Sequence, residues 1–241
     1  MDHRTHRATY GVDAPSVVYA HLIAGSLIAI IALAGPAMTP LPPPVIIAAA
    51  ALASLLLFYG TVMLTSSLVG KRRVCARLVV ALALAGDEQV LDAGCGRGLA
   101  LIACAKALTT GRAVGVDLWA AKDLSNNNPD ATRANAVLEA VADRVEVRTG
   151  DITQLPFPDA SFDAVISMIV IHNIPTPAAR DHALLELVRV LKPGGRMVLF
   201  DLLHMARYAA VLRQAGLEVE DLGRDRLWLL PCRSLLARKP G

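Results

Sequence analysis

Residues 90–98 read VLDAGCGRG. Val90 and Leu91 favour a strand, Asp92 follows, glycines alternate at Gly94, Gly96 and Gly98, and an apolar, helix-compatible run continues from Leu99 to Leu108. This order predicts a strand, a tight turn and a helix. Glycine reaches positive φ without steric cost and lets backbone approach a ligand closely, so the turn suits a large polar ligand.

The same rhythm extends outward. Strand-like runs at 89–93, 113–117, 145–149, 162–167 and 196–201 alternate with helical runs at 99–108, 131–142, 178–191 and 205–215. Such alternation implies an α/β fold, a mostly parallel Rossmann-like sheet covered on both faces with ligands at the carboxyl ends of its strands. Two further strand-like runs, 218–222 and 227–237, predict an antiparallel C-terminal hairpin at one edge, with Pro231 marking a bulge. The stretch VCARLVVALAL (74–84) has helical spacing and is expected to pack on this domain, which covers residues 71–241.

The front of the chain is different. Overall, 54% of the 241 residues are hydrophobic and only 4% aromatic, and a mean hydropathy of +0.48 is too apolar for an ordinary soluble domain. Residues 17–70 contain no Asp, Glu, Lys or Arg. Within them, 17–34 and 45–69 are each long enough to cross roughly 30 Å of hydrocarbon as helices rising about 1.5 Å per residue. The proline-rich GPAMTPLPPP between them predicts a turn that ends both helices. A transmembrane hairpin follows, with residues 1–16 as a polar tail. Arg4 and Arg7 precede the first span, and Lys71, Arg72, Arg73 and Arg77 follow the second, so both termini and the α/β domain are expected on the cytoplasmic side. A cleaved signal peptide is the competing reading of the first span, but the second would remain after cleavage. Tyr19, His21, Ser66 and Ser67 lie near the cytoplasmic ends, as interhelical or interfacial groups or as the border of an acceptor entrance. A net charge of +3 without interleaved aromatics argues against nucleic acid as a partner. The cysteines, Cys75, Cys95, Cys104 and Cys232, form no CxxC pair and read as buried reduced thiols, with no metal site.

Two ligands compete for the glycine turn. A dinucleotide fingerprint beginning at Gly94 needs its third glycine at position 99, where the chain has Leu99, and a pyrophosphate at the helix start is disfavoured by the carboxylate of Asp92. A ligand with an ammonium and a sulfonium group is favoured by it. The string VLDAGCGRG resembles the first motif of class I S-adenosylmethionine-dependent methyltransferases, a carboxylate followed by GxGxG. AVGVDLW (113–119) resembles the second. RTGDITQLPFPDASFDAVIS (148–167) and LVRVLKPGGRMVLFD (187–201) resemble the later ones.

The resemblance covers residues 71–241, leaves out the apolar hairpin, and implies S-adenosylmethionine as cofactor. It places Asp92, Gly94, Gly96 and Gly98 around the ligand and Asp117 on the ribose hydroxyls. Leu118 and Trp119 lie beside Asp117, with Trp119 over the adenine edge or else in the core. Asp151 is placed on the adenine amino group, or alternatively caps a helix; Ile152 packs on the ring. Ser167 is grouped with the cofactor residues.

In the resembled family the loop after the fourth strand lines the acceptor pocket. Here it reads SMIVIHNIPTP (167–177), which makes His172 and Asn173 the acceptor-site candidates, His172 as general base. His204 and Tyr208 are weaker candidates. The expected activity is methyl transfer to a hydrophobic or membrane-partitioned acceptor at the bilayer. Alternatives are methylation of a small soluble amine, thiol or imidazole, or a non-catalytic S-adenosylmethionine sensor. The N-terminal stretch is expected to be a disordered tail rather than a lid that brings Tyr10 to the pocket.

Overall fold

The structure is a computed structural model that describes residues 7–38, 41–120, 122–225 and 231–241. Arg4 and the tip of the proline-rich turn lie outside the described residues.

Two long apolar helices lead, α1 (Pro15–Met38) and α2 (Pro43–Thr65). They pack along Gly25 and Gly60: a Cβ at Gly25 would stand 2.9 Å from Leu57 Cγ, and one at Gly60 2.8 Å from Leu22 Cδ2. Side chains such as Ile23, Ile30, Leu33, Ile47, Leu55 and Phe58 remain exposed, and both helices are long and apolar enough to cross a membrane. His21 and Tyr59 meet between the helices, ring centroids 5.2 Å apart. Helix α1 continues through Gly35 and Pro36, beyond the expected break. Because proline removes only one donor near a helix end, it does not stop the last turn.

The second helix does not end at 69. It tightens into a π-helical turn at Ser66–Gly70 and runs on as α3 (Lys71–Ala81), an arrangement often found at functional sites. Residues 7–14 are hydrogen-bonded to the domain, which corrects the disordered tail expected for them; residues 1–6 lie outside the described residues. Thr9 and Asn135 exchange two hydrogen bonds, Val12 and Ser125 two more, and Asp13 bridges to Leu124. Residues 7–14 thus form a strap across the domain.

The domain carries strands β1 (Gln89–Ala93), β2 (Arg112–Asp117), β3 (Val145–Thr149), β4 (Phe162–Met168), β5 (Leu191–Asp201), β6 (Glu218–Asp225) and β7 (Cys232–Arg238). Their order is β3-β2-β1-β4-β5-β7-β6. β7 pairs antiparallel with β5 and with β6, so β7 is the strand that reverses. Pro231 lies just before β7, not at a bulge within it; the register shift falls in β6 between Asp221 and Gly223.

Helices α4 (Leu99–Ala107), α5 (Pro129–Leu138), α6 (Pro177–Val190) and α7 (Met205–Gln214) flank the sheet. Asn128 and Thr176 cap α5 and α6 through the N–H groups of Ala131 and Ala179, each with proline in the first turn. One apolar cluster joins α3 and α4 to the sheet, with Leu78, Leu82, Leu101 and Ile102 fully buried. The other holds α6 and α7 against the opposite face through Leu184, Leu187 and Tyr208. A sheet covered on both faces leaves its strand ends for ligands, and that is where the cleft lies.

Candidate functional site

A cleft of about 480 Å³ opens at the carboxyl ends of β1, β2, β4 and β5. Asp92, Gly94 and Gly96 form one wall, Asp117 and Leu118 the next, Asp151 and Ile152 a third, and His172 and Asn173 the far side. Seven of the ten expected cofactor residues and two of the three acceptor candidates therefore share one cavity.

The glycine turn is built for close approach. Gly94 and Gly96 have φ of +82° and +50°, a Cβ on Gly94 would overlap Val170, and one on Gly96 would stand 2.8 Å from Leu124 Cδ2. Asp117 organises the turn from the end of β2: its Oδ2 accepts from the Gly96 N–H at 2.8 Å, and its Oδ1 accepts from the Trp119 N–H at 2.6 Å and Asn127 Nδ2 at 3.2 Å. Asp92 is buried, 2% exposed, and its Oδ2 receives no hydrogen bond. Burial, joined by the nearby charge of Asp117 and opposed by a backbone N–H of Leu101, raises its carboxyl to about 7. A buried carboxylate oxygen without a donor suits a cation, and the glycine cradle leaves room for one, so these residues fit a ligand with an ammonium group.

Three expected cofactor residues lie elsewhere. Gly98 serves the helix: at φ +84° it caps α4, and a Cβ there would stand 2.9 Å from Thr132 Cγ2. The Ser167 hydroxyl, buried, donates to the Ala93 carbonyl and ties β4 to β1. Trp119 takes φ +61°, which turns its indole out of the cleft to donate to Thr149 Oγ1 at 2.8 Å; Leu118 faces the cleft instead. No helix follows Asp151, so its carboxylate closes a turn by accepting from the Thr153 N–H and caps nothing.

On the acceptor side, His172 sits in a single 3-10 turn (Ile171–Asn173) after β4. Its Nδ1 lies 2.6 Å from Asp201 Oδ1, a bent approach, and its backbone N–H donates to Asp201 Oδ2 at 3.0 Å. Asp201 is 2% exposed. The carboxylate stands beside Nδ1 without a hydrogen bond to the ring, and its Oδ1 accepts the Leu202 N–H at 2.8 Å. His204 is exposed at the start of α7, where φ +61° makes it the residue before the helix, and it does not line the cleft. Tyr208 is buried behind the site. Apolar side chains, including Leu99, Met168, Ile169, Ile174, Phe200 and Leu202, share the remaining lining with charged and polar ones such as Arg97, Lys122, Asp123 and Asn127.

Three residues that the sequence did not single out for the site bear on it: Asp201 beside His172, and Asp13 and Lys71 in the walls. Asp201 ends a run already assigned as strand, and nothing local marks it as the partner of His172. Asp13 and Lys71 line the cleft from the strap and from the start of α3. All four cysteines are buried and unpaired, as expected; burial pushes the Cys75 thiol up to about 12 and Cys232 to about 11.

Residues 91–199 match a family model described as a methyltransferase domain. Among curated proteins, 27-O-demethylrifamycin SV methyltransferase of Amycolatopsis mediterranei is 35% identical over 62% of this chain and 61% of its own. Demethylmenaquinone methyltransferase of Lactiplantibacillus plantarum is 40% identical over 48% of this chain and 45% of its own. The chain thus spans about half to three fifths of the length of these relatives. Among solved structures, the YcgJ protein of Bacillus subtilis superposes with TM-score 0.60 at 16% identity, covering 70% of this chain and 99% of that one. Geranyl diphosphate methyltransferase in complex with S-adenosylmethionine gives 0.57 at 16%, covering 74% and 89%. The matched segment has the class I, Rossmann-like methyltransferase fold.

Proposed function

We propose that this chain is an S-adenosylmethionine-dependent methyltransferase that acts on a hydroxyl, or a comparably acidic carbon, of a hydrophobic, membrane-partitioned acceptor. The observation that carries this reading is His172, beside the buried Asp201, in the part of the cleft that β4, β5 and the segments after them line with the apolar Met168, Ile169, Val170, Ile174, Phe200 and Leu202. The matched domain and the curated relatives support the cofactor and the reaction class. Names among those relatives point the same way: one specifies an oxygen acceptor and another demethylmenaquinone.

Bound S-adenosylmethionine supplies a methyl group activated by its sulfonium. The chain's own contribution is alignment and proton removal. Asp92 and the glycine turn take the amino-acid end, Asp117 the ribose, and Asp151 with Ile152 the adenine. Holding both partners in line is worth up to about 7–11 kcal/mol of barrier. His172 Nε2 would accept the acceptor's proton as the bond to the methyl carbon forms and the carbon–sulfur bond breaks, leaving S-adenosylhomocysteine, with Asp201 holding the turn that carries the histidine. An amine or a thioether that reacts as its free lone pair needs no such base, which favours a hydroxyl or acidic carbon.

The hairpin is read as a membrane anchor with both ends cytoplasmic, supported by Arg7, Lys71, Arg72, Arg73 and Arg77 flanking uncharged spans. Ala14 precedes α1 and Lys71 follows the π turn after α2, and both line the cleft. An acceptor that partitions into the bilayer therefore meets the cleft at the membrane surface. Incubating the solubilised protein with methyl-labelled cofactor and membrane lipid extract tests this: label entering the lipid fraction is expected, and label entering only water-soluble compounds would contradict it.

A further inference from the structure

Just after β4 the backbone takes a conformation that its residue disfavours. Ile169 has φ +57°, in the left-handed region that suits glycine and, after it, asparagine, and that crowds the branched Cβ of isoleucine. Among the described non-glycine residues with positive φ, it is the one β-branched side chain. Its surroundings hold the turn in place. The Ile169 N–H donates to the Phe200 carbonyl on β5 at 2.8 Å, and the Asn173 N–H donates to the Val170 carbonyl at 3.0 Å. Val170 occupies the space that a Cβ on Gly94 would need, and Asp201 holds the His172 N–H.

Strain of this kind persists only where the structure around it imposes it, and it gathers at functional sites. Glycine or asparagine at 169 would let the same backbone stand at lower cost. The turn therefore accounts for the φ value and leaves the isoleucine unexplained. Its side chain is half-buried, packs against the same apolar cluster as Met168 and Leu202, and lines the cleft. One residue on, Val170 meets the glycine turn, and three on, His172 lines the cleft, so Ile169 belongs to the stretch that joins the two. We propose, on the methyl-transfer reading above, that Ile169 is a specificity-determining residue. A branched apolar side chain stands at a strained position because the apolar body of the acceptor packs against it, and stability is given up there for acceptor contact.

Two variants of the full-length, detergent-solubilised chain separate contact from packing. Ile169→Asn tolerates the left-handed backbone and loses the apolar surface; Ile169→Leu removes the branch at Cβ and keeps that surface. With methyl-labelled S-adenosylmethionine and dilute membrane lipid extract, the initial rate of transfer reads kcat/KM. Ile169→Asn is expected to lower it about tenfold, the loss of one aliphatic contact, while melting no lower than wild type and binding S-adenosylhomocysteine equally well. Ile169→Leu is expected to transfer at close to the wild-type rate. Wild-type transfer by Ile169→Asn, an equal loss in Ile169→Leu, a parallel loss of cofactor affinity, or a lower melting temperature in Ile169→Asn would overturn the role of Ile169 and leave the methyl-transfer reading standing. Wild type that transfers no label would overturn both.

Discussion

His172 Nδ1 stands 2.6 Å from Asp201 Oδ1, and the His172 backbone N–H also donates to Asp201. One buried carboxylate therefore holds the turn that carries the ring and stands beside the ring itself. On the proposed reading, replacing His172 should cost the chemistry and spare the cofactor. For His172→Gln the expected outcome is a fall in kcat of about 10²–10⁴-fold with unchanged S-adenosylhomocysteine affinity. Asp201→Asn should lower kcat in the same direction and by less, because the ring remains while the carboxylate that holds its turn is lost. Steady-state kinetics alongside calorimetry checks both, and unaltered kcat in His172→Gln would remove the histidine from the mechanism.

On the proposed reading, in which Asp92 meets the cofactor's ammonium, cofactor affinity depends on pH. The Asp92 carboxyl is raised to about 7 by burial in the free protein, and a bound ammonium favours the ionised form. Below pH 7, binding must therefore release a proton, so affinity should rise with pH up to about 7 and level off above it. The stability effect of the free protein runs the other way. A raised folded-state pKa gives stability that is full below the unfolded value of about 3.9 and is lost as pH rises through about 7. Asp92→Asn should flatten both dependences, which titrations and thermal melts between pH 5 and 8 will show.

Asp117 accepts three hydrogen bonds from the protein at the end of β2 and faces the cleft. Asp117→Ala should retain the circular dichroism of the wild type and lose cofactor affinity. Two charged hydrogen bonds to a ribose at about 1.5–3 kcal/mol each correspond to a weakening of roughly 10²-fold or more. Unchanged affinity would take Asp117 out of the site.

The hairpin and the domain have separable cores. Both large apolar clusters lie within residues 71–241 apart from Ala8 and Tyr10, whereas Val12, Val18 and Met63 form a small third cluster with the helices. Full-length protein is expected to stay with membranes through an alkaline carbonate wash. Residues 71–241 alone should fold as a soluble domain with weakened cofactor binding, since the strap is gone. Recovery of the full chain in the wash supernatant would contradict the membrane reading.

What the sequence made legible was local. The glycine turn, Asp117 about twenty residues beyond it, and the alternation of strands and helices follow from spacing along one chain segment, and each lies close to where it was expected. What escaped depends on partners distant in sequence. His172 and Asp201 meet because Met168 and Phe200 pair across β4 and β5. Asp13 and Lys71 meet because the hairpin returns the chain to its start. Ser167 and Trp119 were expected in the right strand ends and on the wrong side of them: a hydroxyl satisfied by the Ala93 carbonyl and a backbone turned to φ +61° decide where those side chains go. No motif encodes either.

The most direct test of the central claim is a labelled methyl-transfer assay: solubilised full-length protein, methyl-labelled S-adenosylmethionine and membrane lipid extract, with His172→Gln in parallel. The expected result is label in the lipid fraction with wild type and a loss of about 10²-fold or more with the variant. Cofactor bound by both proteins with no label transferred to any lipid by wild type would contradict it.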